Sequence, residues 1–392
     1  MTPRPRPPKG PRTVDADVAV IGLGAMGSMT AWHLARAGAS VLGFEQFGLA
    51  HDRGASAGES RLFRMAYHEG AAYVPLLRHA RELWGELGAA SGLPLFHPTG
   101  CLSLGLPELP PMRNVRRSVE EHGLDHEILD QDHLAARYPQ HLARPGEIGV
   151  LDVRGGVLRP ELAVLAACAQ ARLAGARLLD HTRVESVRPE DDRVRITAGG
   201  TEYTAGAVVV TAGPWSGRLV PALAGHLTVR PLVLTWFAPR ADAAAYAPER
   251  FPAFIRDTDG VHLFGVPMMD GMSVKTGFAD VWGDLPGPDA FTRDIDEARL
   301  RPLGEAVGRY LPGLHPYPVR HAVYHEGYTA DRTAVIDRVP GQDRVVVLAG
   351  FSGHGFKMAP AFGRIAAELA LERGTSFDIA PMRISRLAET AP

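Results

Sequence analysis

The run Gly22-Leu23-Gly24-Ala25-Met26-Gly27, set between two valine-bearing apolar stretches at 17–21 and 41–44, narrows the possible folds more than any other feature of this chain. A strand that ends in G-x-G-x-x-G and continues into a helix is the opening of a βαβ unit that binds a dinucleotide. Gly22 permits the tight turn, Gly24 lets the backbone approach a pyrophosphate closely, and Gly27 lets helix and strand pack with no side chain between them. The pattern predicts a helix over 29–37, stopped by Gly38, with its N-terminal end facing the phosphates. Glu45 closes the second strand about 20 positions on, where an acidic side chain accepts hydrogen bonds from ribose hydroxyls and repels a 2′-phosphate. That argues against an NADP-type ligand.

Further along, 161–174 reads as a helix, 193–197 and 201–204 as a hairpin around Gly199-Gly200, and 207–211 as a buried strand that runs into Ala212-Gly213-Pro214-Trp215. The stretch 221–318 has shorter apolar runs and many prolines and reads as a second, sheet-containing domain. Residues 344–349 return to a buried strand pattern, followed by Gly350-Phe351-Ser352-Gly353-His354-Gly355-Phe356-Lys357 and a helix over 361–371. The fold class is therefore α/β (α+β), a Rossmann-like nucleotide domain with a second, sheet-containing domain. The expected boundaries are 15–85, 145–221 and 325–385 for the first domain, 86–144 and 222–324 for the second, a disordered arm at 1–14 and a tail at 386–392.

Lys+Arg 42 against Asp+Glu 44 leaves a net charge of −2, so bulk charge calls for neither nucleic acid nor an anionic membrane. No run approaches the ~18 apolar residues that read as a membrane span. Cys101 and Cys168 lack metal or dithiol spacing and are expected to be buried, reduced thiols of a cytoplasmic protein, a monomer or weak homodimer.

Five stretches in order carry a resemblance: Gly22 to Gly27, Gly58-Glu59-Ser60-Arg61-Leu62-Phe63-Arg64, Ala212 to Trp215, Lys275-Thr276-Gly277-Phe278, and Gly350 to Lys357. Together they resemble the monomeric sarcosine oxidase and N-methyltryptophan oxidase group within the D-amino-acid-oxidase-like flavoproteins, over nearly all of residues 15–384. The resemblance implies FAD, a substrate domain built on a large mixed or antiparallel β-sheet, and oxidation of a small carboxylate-bearing secondary amine to an imine, with hydride passing to flavin N5 and oxygen reduced to hydrogen peroxide. It implies FAD contacts from Gly22, Gly24, Ala25, Met26, Gly27, Glu45 and Gln46, from Ser60, Arg61, Val184, Ala212, Gly213 and Trp215, and from Gly353, Gly355, Phe356 and Lys357.

Arg61 and Arg64 sit three apart and share a face if their segment is helical; alternatively they pair with Glu59 and Glu69 on a wet surface. Arginine grips a carboxylate through a bidentate fork, and the resemblance assigns Arg64 and Lys357 to a substrate clamp and Arg61 to the flavin's reactive edge. His354 would line the substrate cavity, or merely satisfy a loop carbonyl. Lys275, after a strand expected at 272–274, resembles the lysine that promotes reaction with oxygen, where a fixed cation stabilises developing negative charge; its plain alternative is a surface lysine.

The sequence departs from the family at several positions. Tyr324 stands where the family attaches FAD through cysteine, and Ser56-Ala57-Gly58 offers no histidine instead, so non-covalent FAD is expected. Phe264 replaces a pocket tyrosine, Ala279 a histidine and Glu326 an aromatic residue, which makes sarcosine itself a doubtful substrate. An acidic Glu326 in the pocket would favour an additional cationic or hydrogen-bond-donating nitrogen. A dehydrogenase using another electron acceptor and an inactive FAD-binding protein remain open alternatives.

Overall fold

In the computed structural model, which describes residues 14–278 and 282–388, the glycine turn connects strand Ala16–Ile21 to helix Ala25–Arg36. The helix starts directly after Gly24, four residues before the periodicity suggested. A Cβ at Gly27 would lie 1.8 Å from the Gly22 carbonyl oxygen, so only glycine allows the first helical turn to rest on the strand end.

Five strands form a parallel core in the spatial order Arg177–Leu179, Val41–Phe44, Ala16–Ile21, Thr201–Val210, Gln342–Ala349. In chain order this is 3-2-1-4-5, the arrangement that leaves a crevice where strands 1 and 4 part. The glycine turn after Ile21 and the segment after Val210 open into that crevice. The hairpin strands Val184–Pro189 and Val194–Ala198 extend this sheet, and Val335–Val339 pairs with its last strand. Helices Ala25–Arg36, Pro160–Leu173 and Ala359–Ala370 pack on one another and contribute to a core that includes Trp32, Ala167, Phe362 and Ile365.

A second eight-stranded sheet runs Arg320–Tyr328, Thr228–Phe237, Val274–Phe278, Val261–Val266, Ala253–Thr258, Cys101–Gly105, Ile148–Asp152, His126–Leu129. Every pairing given is antiparallel except Ala253–Thr258 with Cys101–Gly105. This sheet takes Ile148–Asp152 from the stretch expected to belong to the nucleotide domain, and Arg320–Tyr328 crosses the expected boundary at 324/325. A small sheet of Arg61–Phe63, Gly156–Leu158 and Phe96–His97 carries the first arginine motif.

Other expectations need correction. The strands expected at 201–204 and 207–211 are one strand, Thr201–Val210, because Gly206 does not interrupt it: a Cβ there would lie 2.8 Å from the Asp17 carbonyl oxygen, and glycine lets the neighbouring strand approach. Arg61 lies on a strand rather than a helix, so it shares no helical face with Arg64. Lys275 lies within Val274–Phe278, not after a strand at 272–274. Residues 1–13 of the expected arm, 389–392 of the expected tail, and Ala279 lie outside the described residues. Both cysteines are buried and free. Among the described residues no helix is long and apolar enough to cross a membrane, and no cluster of His, Cys, Asp or Glu is suited to a metal ion.

Candidate active site

A cavity of about 1000 Å³ runs from the crevice of the first sheet to the face of the second. At one end its wall is bare backbone. Gly22 has φ +86°, and a Cβ there would lie 2.7 Å from the Thr211 carbonyl oxygen; a Cβ at Gly24 would lie 3.2 Å from Ser56 Oγ, which itself accepts the Ala25 N–H at 2.9 Å. Glu45, at the end of the second strand, accepts the Leu23 N–H at 2.9 Å and the Phe47 N–H at 3.1 Å, and so fixes the turn as well as facing the cavity. Gln46, Val184, Ala212, Gly213 and Trp215 line the same end. This cradle, closed to any side chain at its glycines and backed by the start of a 12-residue helix, fits the pyrophosphate and ribose of FAD. Gly27 is not on the cavity wall; its role is the packing just described.

Farther in, the wall is carried by the loop before Arg61. Gly58 has φ +117° and Glu59, though not glycine, has φ +72°. Glu161, in the first turn of helix Pro160–Leu173, accepts both of their N–H groups, at 2.7 and 3.0 Å. Lys275 Nζ donates to the Gly58 carbonyl at 3.0 Å and to the Ser60 carbonyl. Arg61 donates to the carbonyls of Ser60 (2.9 Å), Ala55 (2.8 Å) and Ala57. Two cations are thus spent partly on holding one loop, and both still line the cavity. Lys275 is 2% exposed, which excludes the surface-lysine reading; burial and the neighbouring Arg61 hold its pKa well below the usual lysine range.

Arg64 and Lys357, 293 positions apart by number, meet over one ring: the guanidinium carbon is 5.0 Å and Nζ 5.2 Å from the centroid of Tyr67. Glu69 accepts from Arg64 Nη2 at 3.1 and 3.3 Å, while Arg64 Nε is buried with no hydrogen-bond partner. Burial, and then Arg64, lower the Lys357 pKa to about 7. Glu69 is held well below the carboxylate range because Arg64 and Lys357 outweigh its burial. Arg64, Lys357 and Glu69 thus stand together on the cavity wall.

His354 lines the cavity, but both ring nitrogens are engaged: Nε2 with the Arg332 carbonyl at 2.9 Å and Nδ1 with the Tyr67 hydroxyl at 3.1 Å. Its pKa is lowered, chiefly by burial, so it stays neutral and holds Tyr67 rather than presenting a free nitrogen. Lys357 Nζ donates to the His354 carbonyl at 2.9 Å, and the Lys357 carbonyl accepts Trp84 Nε1–H at 2.8 Å. Gly353, Gly355 and Phe356 belong to this wall. Phe264 and Glu326 also line the cavity; Tyr324 does not, and packs with Ala57, Leu234 and Trp236. Tyr67 and Glu161 went unrecognised from the sequence, since their partners are 287 and about 100 positions away and no local pattern marks them.

The fold and cavity define a dinucleotide-dependent enzyme with an internal cavity between its two large sheets. The chain belongs to the FAD dependent oxidoreductase family, whose model matches residues 17–369, and FAD is its cofactor. It is 35% identical to monomeric sarcosine oxidase of Streptomyces avermitilis over 95% of this chain and 98% of that one. It is 34% identical to N-methyl-L-tryptophan oxidase of Salmonella arizonae over 95% and 99% of the two chains. Among solved structures, NikD, described as an unusual amino acid oxidase essential for nikkomycin biosynthesis, has a TM-score of 0.83 at 24% identity, over 95% of this chain and 98% of that one, a likeness of fold. The expected family, fold and cofactor are borne out.

Proposed function

We propose that the protein oxidises the C–N bond of a small secondary amine or amino acid bearing a carboxylate, such as an N-substituted glycine or a cyclic imino acid. The amine loses two hydrogens to become an imine, and oxygen gains them as hydrogen peroxide. FAD, when bound, supplies the two-electron chemistry that links these halves. The chain's own residues supply position and charge. The convergence of Arg64 and Lys357 over Tyr67, with Glu69 ion-paired to Arg64, carries this reading, since the two basic groups suit one carboxylate and would orient the amine beside it. Relatives named for the oxidation of sarcosine and N-methyl-L-tryptophan, both carboxylate-bearing secondary amines, support it.

Lys275 is buried against the same loop as Arg61, and its Nζ–H groups would stabilise negative charge developing on oxygen. FAD is held without a covalent bond in this reading: the cavity wall includes neither Cys101 nor Cys168, and Tyr324 stands at the position of attachment in relatives. Acid precipitation would then release all the yellow colour, and colour kept in the pellet contradicts the claim. Glu326 faces the cavity near Arg61 and Lys357 and selects for a nitrogen-rich substrate; unchanged turnover and apparent affinity across amines in Glu326→Gln would refute that selection.

An anaerobic screen of amines and amino acids tests the reaction. Bleaching of the visible flavin band followed by peroxide on readmitting air is expected. Bleaching without peroxide indicates a dehydrogenase, and a flavin that no amine reduces contradicts catalysis.

A further inference from the structure

Beside the clamp is a second polar group that the proposed reaction leaves unused. His68 is 7% exposed and lines the cavity together with His262, yet neither of its ring nitrogens has a hydrogen-bond partner. Asp257 lies between the two rings. Its Oδ1 is 2.5 Å from His262 Nδ1, and its Oδ2, also without a hydrogen-bond partner, is 3.9 Å from His68 Nδ1, too far for a hydrogen bond. The rings stand edge-to-face at 6.4 Å.

The chain builds this group from two well-held elements. Asp257 and His262 are cross-strand partners in the hairpin of Ala253–Thr258 and Val261–Val266. His68 follows Arg64 by four positions, and its carbonyl accepts Asn114 Nδ2–H at 2.7 Å from helix Pro110–His122.

A buried polar group left unsatisfied destabilises the fold, and one on a cavity wall can be satisfied by whatever enters. The Asp257 carboxylate favours the proton on His68 Nδ1, so His68 Nε2 presents a lone pair. Burial, and then Arg64, lower the His68 pKa to about 3, so the ring is neutral near pH 7 and keeps that lone pair. We propose that His68 and His262, oriented by Asp257, form a specificity subsite beside the carboxylate clamp that accepts hydrogen bonds from a neutral amide or hydroxyl at the far end of the substrate's side chain. Arg64, close enough to lower the His68 pKa, disfavours a cationic end group there. A hydrocarbon end group would seal the nitrogens in unpaired. The subsite rests on the reading that Arg64 and Lys357 hold the substrate carboxylate.

Two ligands of matched shape test it: N-methyl-L-asparagine and N-methyl-L-leucine, titrated anaerobically into FAD-loaded protein whose flavin has first been reduced with dithionite, so that neither is oxidised, and followed by calorimetry. The wild type should bind the asparagine derivative about tenfold more tightly, the worth of one or two well-made hydrogen bonds. His68→Leu should erase or invert that ratio, and His262→Leu, at a half-exposed position, should reduce it even if His68→Leu does not fold. Equal binding of the pair by wild type, or a ratio that survives the substitutions, overturns the subsite and leaves the clamp standing. If neither ligand binds, or if Arg64→Met leaves both affinities unchanged, the clamp fails and the subsite with it.

Discussion

Two arginine–glutamate pairs, each with a buried guanidinium, use the same residue types to different ends in this protein. Arg256 and Glu147 have fully buried side chains, with Arg256 Nη1 2.9 and 3.2 Å from the two carboxylate oxygens. Thr258 and the Arg144 N–H also donate to Glu147, while Arg256 donates to the Leu142 carbonyl and lies 4.7 Å from the Tyr310 ring centroid. One cation meets one anion, away from the cavity. Arg64 and Glu69 form the same pair at 3.1 Å, but Lys357 adds a second basic group and the cavity reaches all three. A buried pair becomes a binding site when its charges do not balance and a ligand can reach the surplus. The two uses come within one residue of each other: along Ala253–Thr258 the side chains of Ile255 and Asp257 lie on the opposite face of the pleat from Arg256.

The sharpest way to break the comparison is to neutralise each pair. Glu147→Gln strands Arg256 and should cost about 3–5 kcal/mol of unfolding free energy in urea melts, while affinity for a carboxylate ligand in the folded fraction is unchanged. A loss under about 1 kcal/mol would mean that the sealed pair is not structural in this sense. Arg64→Met should act the other way round, weakening a carboxylate-bearing ligand by roughly 30- to 1000-fold, the equivalent of about 2–4 kcal/mol, in a calorimetric titration.

A smaller effect sharpens the role of the surplus charge. Lys357, with a pKa lowered to about 7, is an ammonium below that pH and a neutral amine above it. Affinity for a carboxylate should therefore be level below about pH 7 and fall above it, by at most about tenfold per unit for one proton. Binding measured in buffers of different ionisation enthalpy should reveal proton uptake, and Lys357→Met should abolish both the slope and the uptake.

Much of the frame was legible because it rests on local pattern. The glycine turn, the strand ending at Glu45 and the returning strand before Gly350 each announce themselves by spacing and apolar runs, and the structure joins them in one crevice. Arg64, Lys357, Lys275 and His354 were also nameable as a set, and all line that cavity. Roles that depend on partners brought in by the fold were not legible. The spacing of Arg61 and Arg64 suggested a shared helical face, but a strand sends Arg61 to the carbonyls of its own loop and leaves Arg64 to Glu69. Tyr324, at the position of flavin attachment in the family, lies off the cavity wall and packs in an apolar cluster. His68 gave no signal, since an idle imidazole is recognised only when its surroundings are known.

The account turns on whether the basic pair receives a carboxylate next to the flavin. Anaerobic titration of the FAD-loaded protein with a secondary amino acid, and with the same amine lacking its carboxylate, tests this directly through the visible flavin band. The acid should bleach the band at concentrations where the bare amine leaves it intact. Equal bleaching by both would contradict the claim.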